Sequence, residues 1–131
     1  MKKYLVFLLL GCTVFLSSFT HPDTLEMDDV VVALKSGNAS QLSKYFDNRV
    51  DISLPDKTDN YSRTQAEMVI RDFFSNNGVR NFQLKYKSEK TGSNYCVGTL
   101  QTRTGNYRTT LFMKQKGDKQ YLQDLSFQKI E

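Results

Sequence analysis

The chain has 131 residues, with 18 Lys and Arg against 14 Asp and Glu, one His and two Cys. This length suits one domain. The net charge of +4, carried by lysines that do not cluster into a phosphate track, excludes a nucleic-acid surface, and the scarcity of His and Cys excludes a His/Cys metal cluster.

Met1-Lys2-Lys3 is a short positive region, Tyr4 to Leu16 an apolar run, and Ser17-Ser18-Phe19-Thr20 a stretch with small residues. This is the pattern of a secretory signal peptide over residues 1–20, cleaved after Ser18 or Thr20. An apolar run of about 13 residues falls short of the roughly 20 that span a bilayer, so no membrane span is expected. Leu9-Leu10-Gly11-Cys12 resembles a lipobox, yet Cys12 comes early and the apolar run continues through Leu16, which argues against lipid anchoring. The expected product is an exported protein, periplasmic or extracellular, comprising a single domain over residues 21–131. Cys96 is its remaining thiol, so no internal disulfide forms even in an oxidising compartment.

Asp23 to Glu26 has capping-box spacing, and Leu25, Val30, Val31, Ala33 and Leu34 give the first helix an apolar face that ends at Gly37-Asn38. Asn38 to Gln41 opens a second, short helix with Leu42, Tyr45 and Phe46 facing inward. Asp47 is expected to end it. Arg49 to Leu54 alternates as a first strand, closed by Pro55, with a short paired strand in the turn-like segment that follows. Ser62 to Gln65 is a third capping box. After it Ala66, Val69, Ile70, Phe73 and Phe74 form the strongest helical stripe in the chain, closed by Asn76-Asn77-Gly78.

From Phe82 onward the chain reads as four strands joined by tight turns. Phe82, Leu84 and Tyr86 alternate with Gln83, Lys85 and Lys87, which predicts one apolar and one wet face. Tyr95 to Arg103 and Tyr107 to Lys116 follow, separated by Thr104-Gly105-Asn106. In the last strand the step from Leu122 to Leu125 breaks alternation, and a β-bulge near Gln123-Asp124 would restore it. The order α-α-β-(β)-α-β-β-β-β describes an α+β domain with helices packed on a curved, mostly antiparallel sheet. Charge divides along the same line. His21 to Asp72 holds 6 basic and 10 acidic residues, Phe73 to Glu131 10 basic and 4 acidic.

Three stretches, Lys35 to Ile52, Ser62 to Phe74, and the pair Gly98 to Arg108 with Lys119 to Phe127, resemble the nuclear transport factor 2-like, cone-shaped superfamily. Within it the chain is most similar to the exported bacterial family called domain of unknown function 4783. The resemblance implies a cone whose interior, in the superfamily's enzymes, houses a carboxylate or His of perturbed pKa. This chain departs from those enzymes. Ser53 stands where the isomerase-like members place a base carboxylate, Leu25 to Ser36 contains no Tyr, and an Asp–His pair lacks its His. Homodimerisation through the sheet face is common in proteins of this kind.

No catalytic residue or metal ligand is therefore assigned, and no cofactor is expected. Asp56-Lys57-Thr58-Asp59 lacks the oxygen density of a calcium loop. Tyr61, Tyr86, Tyr95, Tyr107, Asp47 and Asp51 are candidate pocket residues, because tyrosines combine an apolar body with a hydroxyl and the aspartates flank the first strand. Arg103 and Arg108, expected across from each other at a hairpin tip, are candidates for an anion clamp. The expected function is a non-enzymatic exported module that binds a small apolar or amphipathic ligand in its cone, or pairs as a homodimer through the sheet face. Two other readings stay open at this point: an accessory domain of an envelope complex, and a cone-pocket enzyme using an Asp with a Tyr.

Overall fold

The computed structural model describes residues 22–130. The expected signal peptide, with its lipobox-like Cys12, lies outside them. Among the described residues no helix is long and apolar enough to cross a membrane.

Helices α1 (Pro22–Ser36) and α2 (Ala39–Ser43) lead into strands β1 (Phe46–Leu54) and β2 (Lys57–Ser62). Helix α3 (Arg63–Asn77) is followed by β3 (Val79–Lys90), β4 (Ser93–Thr102), β5 (Gly105–Lys116) and β6 (Lys119–Ile130). The six strands form one sheet in the order β2-β1-β6-β5-β4-β3. Neighbours are antiparallel except β1 and β6, which run parallel.

Local signals account for most boundaries. Helix α3 begins at a complete capping box: Ser62 Oγ accepts from the Gln65 N–H, and the Gln65 side chain accepts from the Ser62 N–H, both at 3.3 Å. It ends where Gly78 takes a φ of 70°, a left-handed conformation that costs a Cβ-bearing residue, and returns its N–H to Phe74 O. Ser62→Ala removes one half of the box and is expected to cost about 1 kcal/mol, read as a lower urea midpoint at unchanged slope. The cap at Asn38 forms on one side, with Asn38 Oδ1 accepting from Gln41 N at 3.0 Å.

Three boundaries or faces differ from the sequence reading. Helix α1 is already formed at Pro22, so Asp23 lies within it. Strand β1 begins at Phe46, three residues before the expected Arg49, because Phe46 finds a backbone partner in Leu122 of β6. Asp47 is thus a strand residue and does not terminate a helix. In β3, Leu84 pairs with Gly98 but Tyr86 pairs with Val97, leaving Lys85 as an extra residue. This bulge turns Tyr86 away from the face that Phe82 and Leu84 share. In β6 the expected bulge is present at Gln123, since Leu122 pairs with Met113 and Asp124 with Phe112.

The helices cover the inner face of the sheet. Met27, Val30, Ala33 and Leu34 of α1 and Ala66, Ile70, Phe73 and Phe74 of α3 are buried against Phe82, Leu100, Leu111, Leu125 and Phe127. Phe73 stacks on Phe127 with ring centroids 4.8 Å apart and meets Tyr107 edge-on at 5.3 Å. Aromatic side chains thus occupy the interior of the cone.

Candidate functional site

The inner face leaves little room for a ligand. At the mouth of the cone an open cleft of about 410 Å³ is lined by Leu54, Val69, Asp72, Phe73, Asn77 and Tyr107, among others. Its polar groups are bonded to one another. Tyr107 OH donates to Asn77 Oδ1 at 2.9 Å, Thr104 Oγ1 donates to the same oxygen at 2.6 Å, and Asn77 Nδ2 donates to Phe73 O.

The outer face carries no second layer among the described residues, and strand pairing arranges its side chains in rows. One row crosses all six strands: Ser88, Tyr95, Phe112, Asp124, Asp51 and Asn60 stand in register. The next contains Tyr86, Val97, Thr110, Ser126 and Ser53. Tyr86 and Tyr95 meet edge-on with centroids 6.4 Å apart, and together with Phe112 they line a shallow hollow of about 350 Å³. Tyr86 is 58% and Tyr95 39% exposed, high for residues that carry so much apolar surface.

The far end of the same row is acidic. Asp51 and Asp124 are partners across the parallel β1–β6 pair, and Asn60 Nδ2 donates to Asp51 Oδ1 at 2.8 Å. Partial burial raises the pKa of Asp124 above the ordinary value, and the neighbouring charge of Asp51 and a hydrogen bond between the two carboxyl groups raise it further.

The candidate residues therefore divide between two faces. Tyr107 lines the cone mouth. Tyr61 pairs with Val50 and packs partly against the core. Tyr86, Tyr95 and Asp51 share the outer face. Asp47 is buried and structural: Oδ2 accepts from Lys116 Nζ at 2.7 Å and Gln123 Nε2 at 2.9 Å, and Oδ1 accepts from Asn48 N. Burial works to raise its pKa, but these bonds and the Lys116 charge outweigh it and hold the carboxyl below the ordinary value. The expected anion clamp does not assemble. Arg103 sits in the β4–β5 turn and donates to Asn76 O at 3.3 Å, whereas Arg108 pairs with Thr99 on the outer face. The register places Thr102 opposite Gly105 at the tip, so the two arginines are not partners. Cys96 is buried, and burial pushes its thiol pKa up to about 11, far from a reactive thiolate. Among the described residues no group of three or more His, Cys, Asp or Glu could hold a metal ion.

Phe112 and Asn60 belong to the site although the sequence reading did not select them. Phe112 lies between inward Leu111 and Met113 in an unbroken apolar run, and that interruption of the alternating pattern was the available signal.

Three helices held on the concave side of a curved sheet, with a long α3 entering it between β2 and β3, define a nuclear transport factor 2-like, cystatin-like α+β fold. A domain of unknown function with a cystatin-like fold from Nostoc punctiforme shares it at a TM-score of 0.67 and 9% identity, covering 86% of this chain and 80% of that one. Residues 27–128 match the family described as domain of unknown function DUF4783, and the chain belongs to that family. DUF4783 proteins of known structure from Bacteroides uniformis and Bacteroides ovatus are 28% and 27% identical to it, with TM-scores of 0.77 and 0.76. Each comparison covers 79% of this chain, and 96% and 94% of the respective relative. No curated protein matches the chain. The family is one of unknown function.

Proposed function

We propose that this is an exported, non-enzymatic pairing module whose outer sheet face joins a second copy of the chain. The carrying observation is the uncovered face itself, with Tyr86, Tyr95, Val97 and Phe112 gathered at its β3–β5 side. Six strands spaced about 4.8 Å apart and roughly ten residues long at about 3.3 Å each present on the order of 800 Å². That is about what each partner contributes to a standard stable interface. A homodimer needs a self-complementary patch, and a face with apolar, hydroxyl and charged residues interspersed can oppose its own copy across a twofold axis. Ligand binding inside the cone has less support, because Phe73, Phe74, Phe82 and Phe127 are packed there. A cone-pocket enzyme has less still: Asp51 and Asp124 stand on the outer face and Asp47 is held by Lys116.

Sedimentation equilibrium of the exported chain over a wide concentration range tests the reading. The expected result is a monomer–dimer equilibrium. Phe112→Lys and Tyr95→Lys should each raise the dissociation constant about 100-fold or more, the size of a central contact residue, while leaving the thermal midpoint nearly unchanged. A wild-type chain that stays monomeric at all concentrations would overturn the proposal. If it pairs only with a different protein, the accessory-domain reading takes its place.

A further inference from the structure

The row that holds the aromatic patch ends in two adjacent carboxyl groups on the same uncovered face. We infer that pairing through this face draws one proton per chain onto the Asp51–Asp124 pair, so that the dimer strengthens as pH falls. This rests on the pairing reading above and adds its regulation.

The geometry behind it is the β1–β6 register. In this parallel pair Asp51 and Asp124 are direct partners, with Ser53 and Ser126 the next partners on the same face. Phe112 adjoins Asp124 from β5, and Asn60 adjoins Asp51 from β2. Two carboxylates side by side need either a cation or a proton once water is removed from them.

The charged groups of every neighbouring strand are accounted for. On β1, Arg49 directs its guanidinium to Asn60, with Nε 2.6 Å from Oδ1 and a second contact of 3.2 Å to the backbone oxygen. On β2, Asp59 pairs in register with Ile52, on the opposite face, and its carboxylate accepts from Asn60 N. On β5, Lys114 lies one row away opposite Tyr121, and Lys116 is bonded to Asp47. On β6 the nearest outward groups are Tyr121 and Ser126, both uncharged. Among the described residues neither Asp51 nor Asp124 takes part in an ion pair. The one side-chain donor that reaches the pair is the neutral amide of Asn60.

A single proton resolves the arrangement. One carboxyl group becomes a donor, the other accepts, and Asn60 satisfies a remaining oxygen. In the uncovered chain solvent shares this task, and the balance already leans toward the protonated form at Asp124. Covering the row with a second copy removes that solvent and leans it further. The paired state therefore binds protons more tightly than the free state. Its advantage is full below the free chain's pKa and is lost as pH rises through the higher pKa of the dimer. The window lies above the unperturbed aspartate value of about 3.9. Within it, one proton per chain and two chains per dimer change the dissociation constant by up to about 100-fold per pH unit.

The test measures the dissociation constant of the full chain at constant ionic strength from pH 5 to pH 8, for wild type, Asp124→Asn and Asp51→Asn. Both aspartates are exposed, so the variants keep their fold. Wild type should dimerise at least tenfold more tightly at pH 5 than at pH 8. Asp124→Asn, which fixes the neutral donor, should pair at pH 8 about as tightly as wild type at pH 5, and its pH dependence should vanish. Since His21 is retained in the variant, a flat profile there assigns the wild-type dependence to the carboxyl pair. A wild-type dimer that is pH-independent, or tighter at high pH, overturns this inference and leaves the pairing reading standing. Absence of a dimer in both wild type and Asp124→Asn at every pH overturns both.

Discussion

Phe127→Ala should destabilise the fold by about 4 kcal/mol, within the range measured when a buried aromatic is truncated to alanine. Phe127 is fully buried on β6, a strand that pairs with both β1 and β5. Its ring lies 4.8 Å from that of Phe73 and 6.1 Å from that of Phe74, so it is the contact through which the sheet holds α3. Truncation removes the transfer free energy of the ring. It also leaves a cavity walled by a strand with neighbours on both sides, and that wall cannot collapse to fill it. A domain of this size is stable by only about 5–15 kcal/mol, so the loss is a large share of the total. Urea unfolding followed by circular dichroism measures it. A loss below about 1.5 kcal/mol would mean that α3 settles into the space and that the cone interior is less rigid than its packing implies.

Gly98→Ala should cost about 3 kcal/mol, a large penalty for one methyl group, because it overpacks the opposite side of the same core. A Cβ at Gly98 would stand 2.3 Å from Phe82 Cζ and 2.5 Å from the backbone oxygen of Gln83. The phenyl ring could rotate away. The carbonyl cannot, because it belongs to the β3–β4 ladder. Backbone conformation plays no part here, since the positive-φ glycines are Gly37, Gly78, Gly92, Gly105 and Gly117. Combining Gly98→Ala with Phe82→Leu should recover part of the loss, whereas the two changes would simply add if the carbonyl contact alone were responsible. Equal stability of Gly98→Ala and wild type would contradict the close approach of Phe82 to β4.

Both substitutions act on the face turned toward the helices, and neither should alter pairing by the outer face except through loss of the fold. The converse holds for Phe112→Lys and Asp124→Asn. A two-layer domain with one sheet face covered and the other bare separates stability from association in this way, and the separation is what makes the pairing proposal testable. Val50 and Ile52 point inward while Asp51, between them, points outward, so a single strand contributes to both layers.

The sequence by itself determined whatever depends on residues a few positions apart. The stripe from Ala66 to Phe74, the capping box at Ser62 and the stop at Gly78 specify α3, because an i, i+3, i+4 spacing and a side chain capping the third residue on are local facts. The step from Leu122 to Leu125 located the β6 bulge for the same reason: an apolar residue displaced by one position must be realigned to stay buried. The absence of a carboxylate at Ser53 and of a second His likewise followed from composition and position alone.

Only the tertiary structure decided which face each tyrosine occupies and which residues meet. The bulge at Lys85 left no mark in the sequence, since Phe82, Leu84 and Tyr86 keep an unbroken alternation and a tyrosine tolerates either face. Asp47 became a strand residue because β6 offers its neighbour Phe46 a partner far away in the chain, Leu122. Arg103 and Arg108 were adjacent in sequence but were parted by a register that turns at Thr102 and Gly105. Asp51 and Asp124, far apart along the chain, became neighbours when β1 paired in parallel with β6. Periodicity and caps are written residue by residue, whereas strand order and register arise from backbone hydrogen bonds between distant segments, and those bonds assembled the row from Ser88 to Asn60.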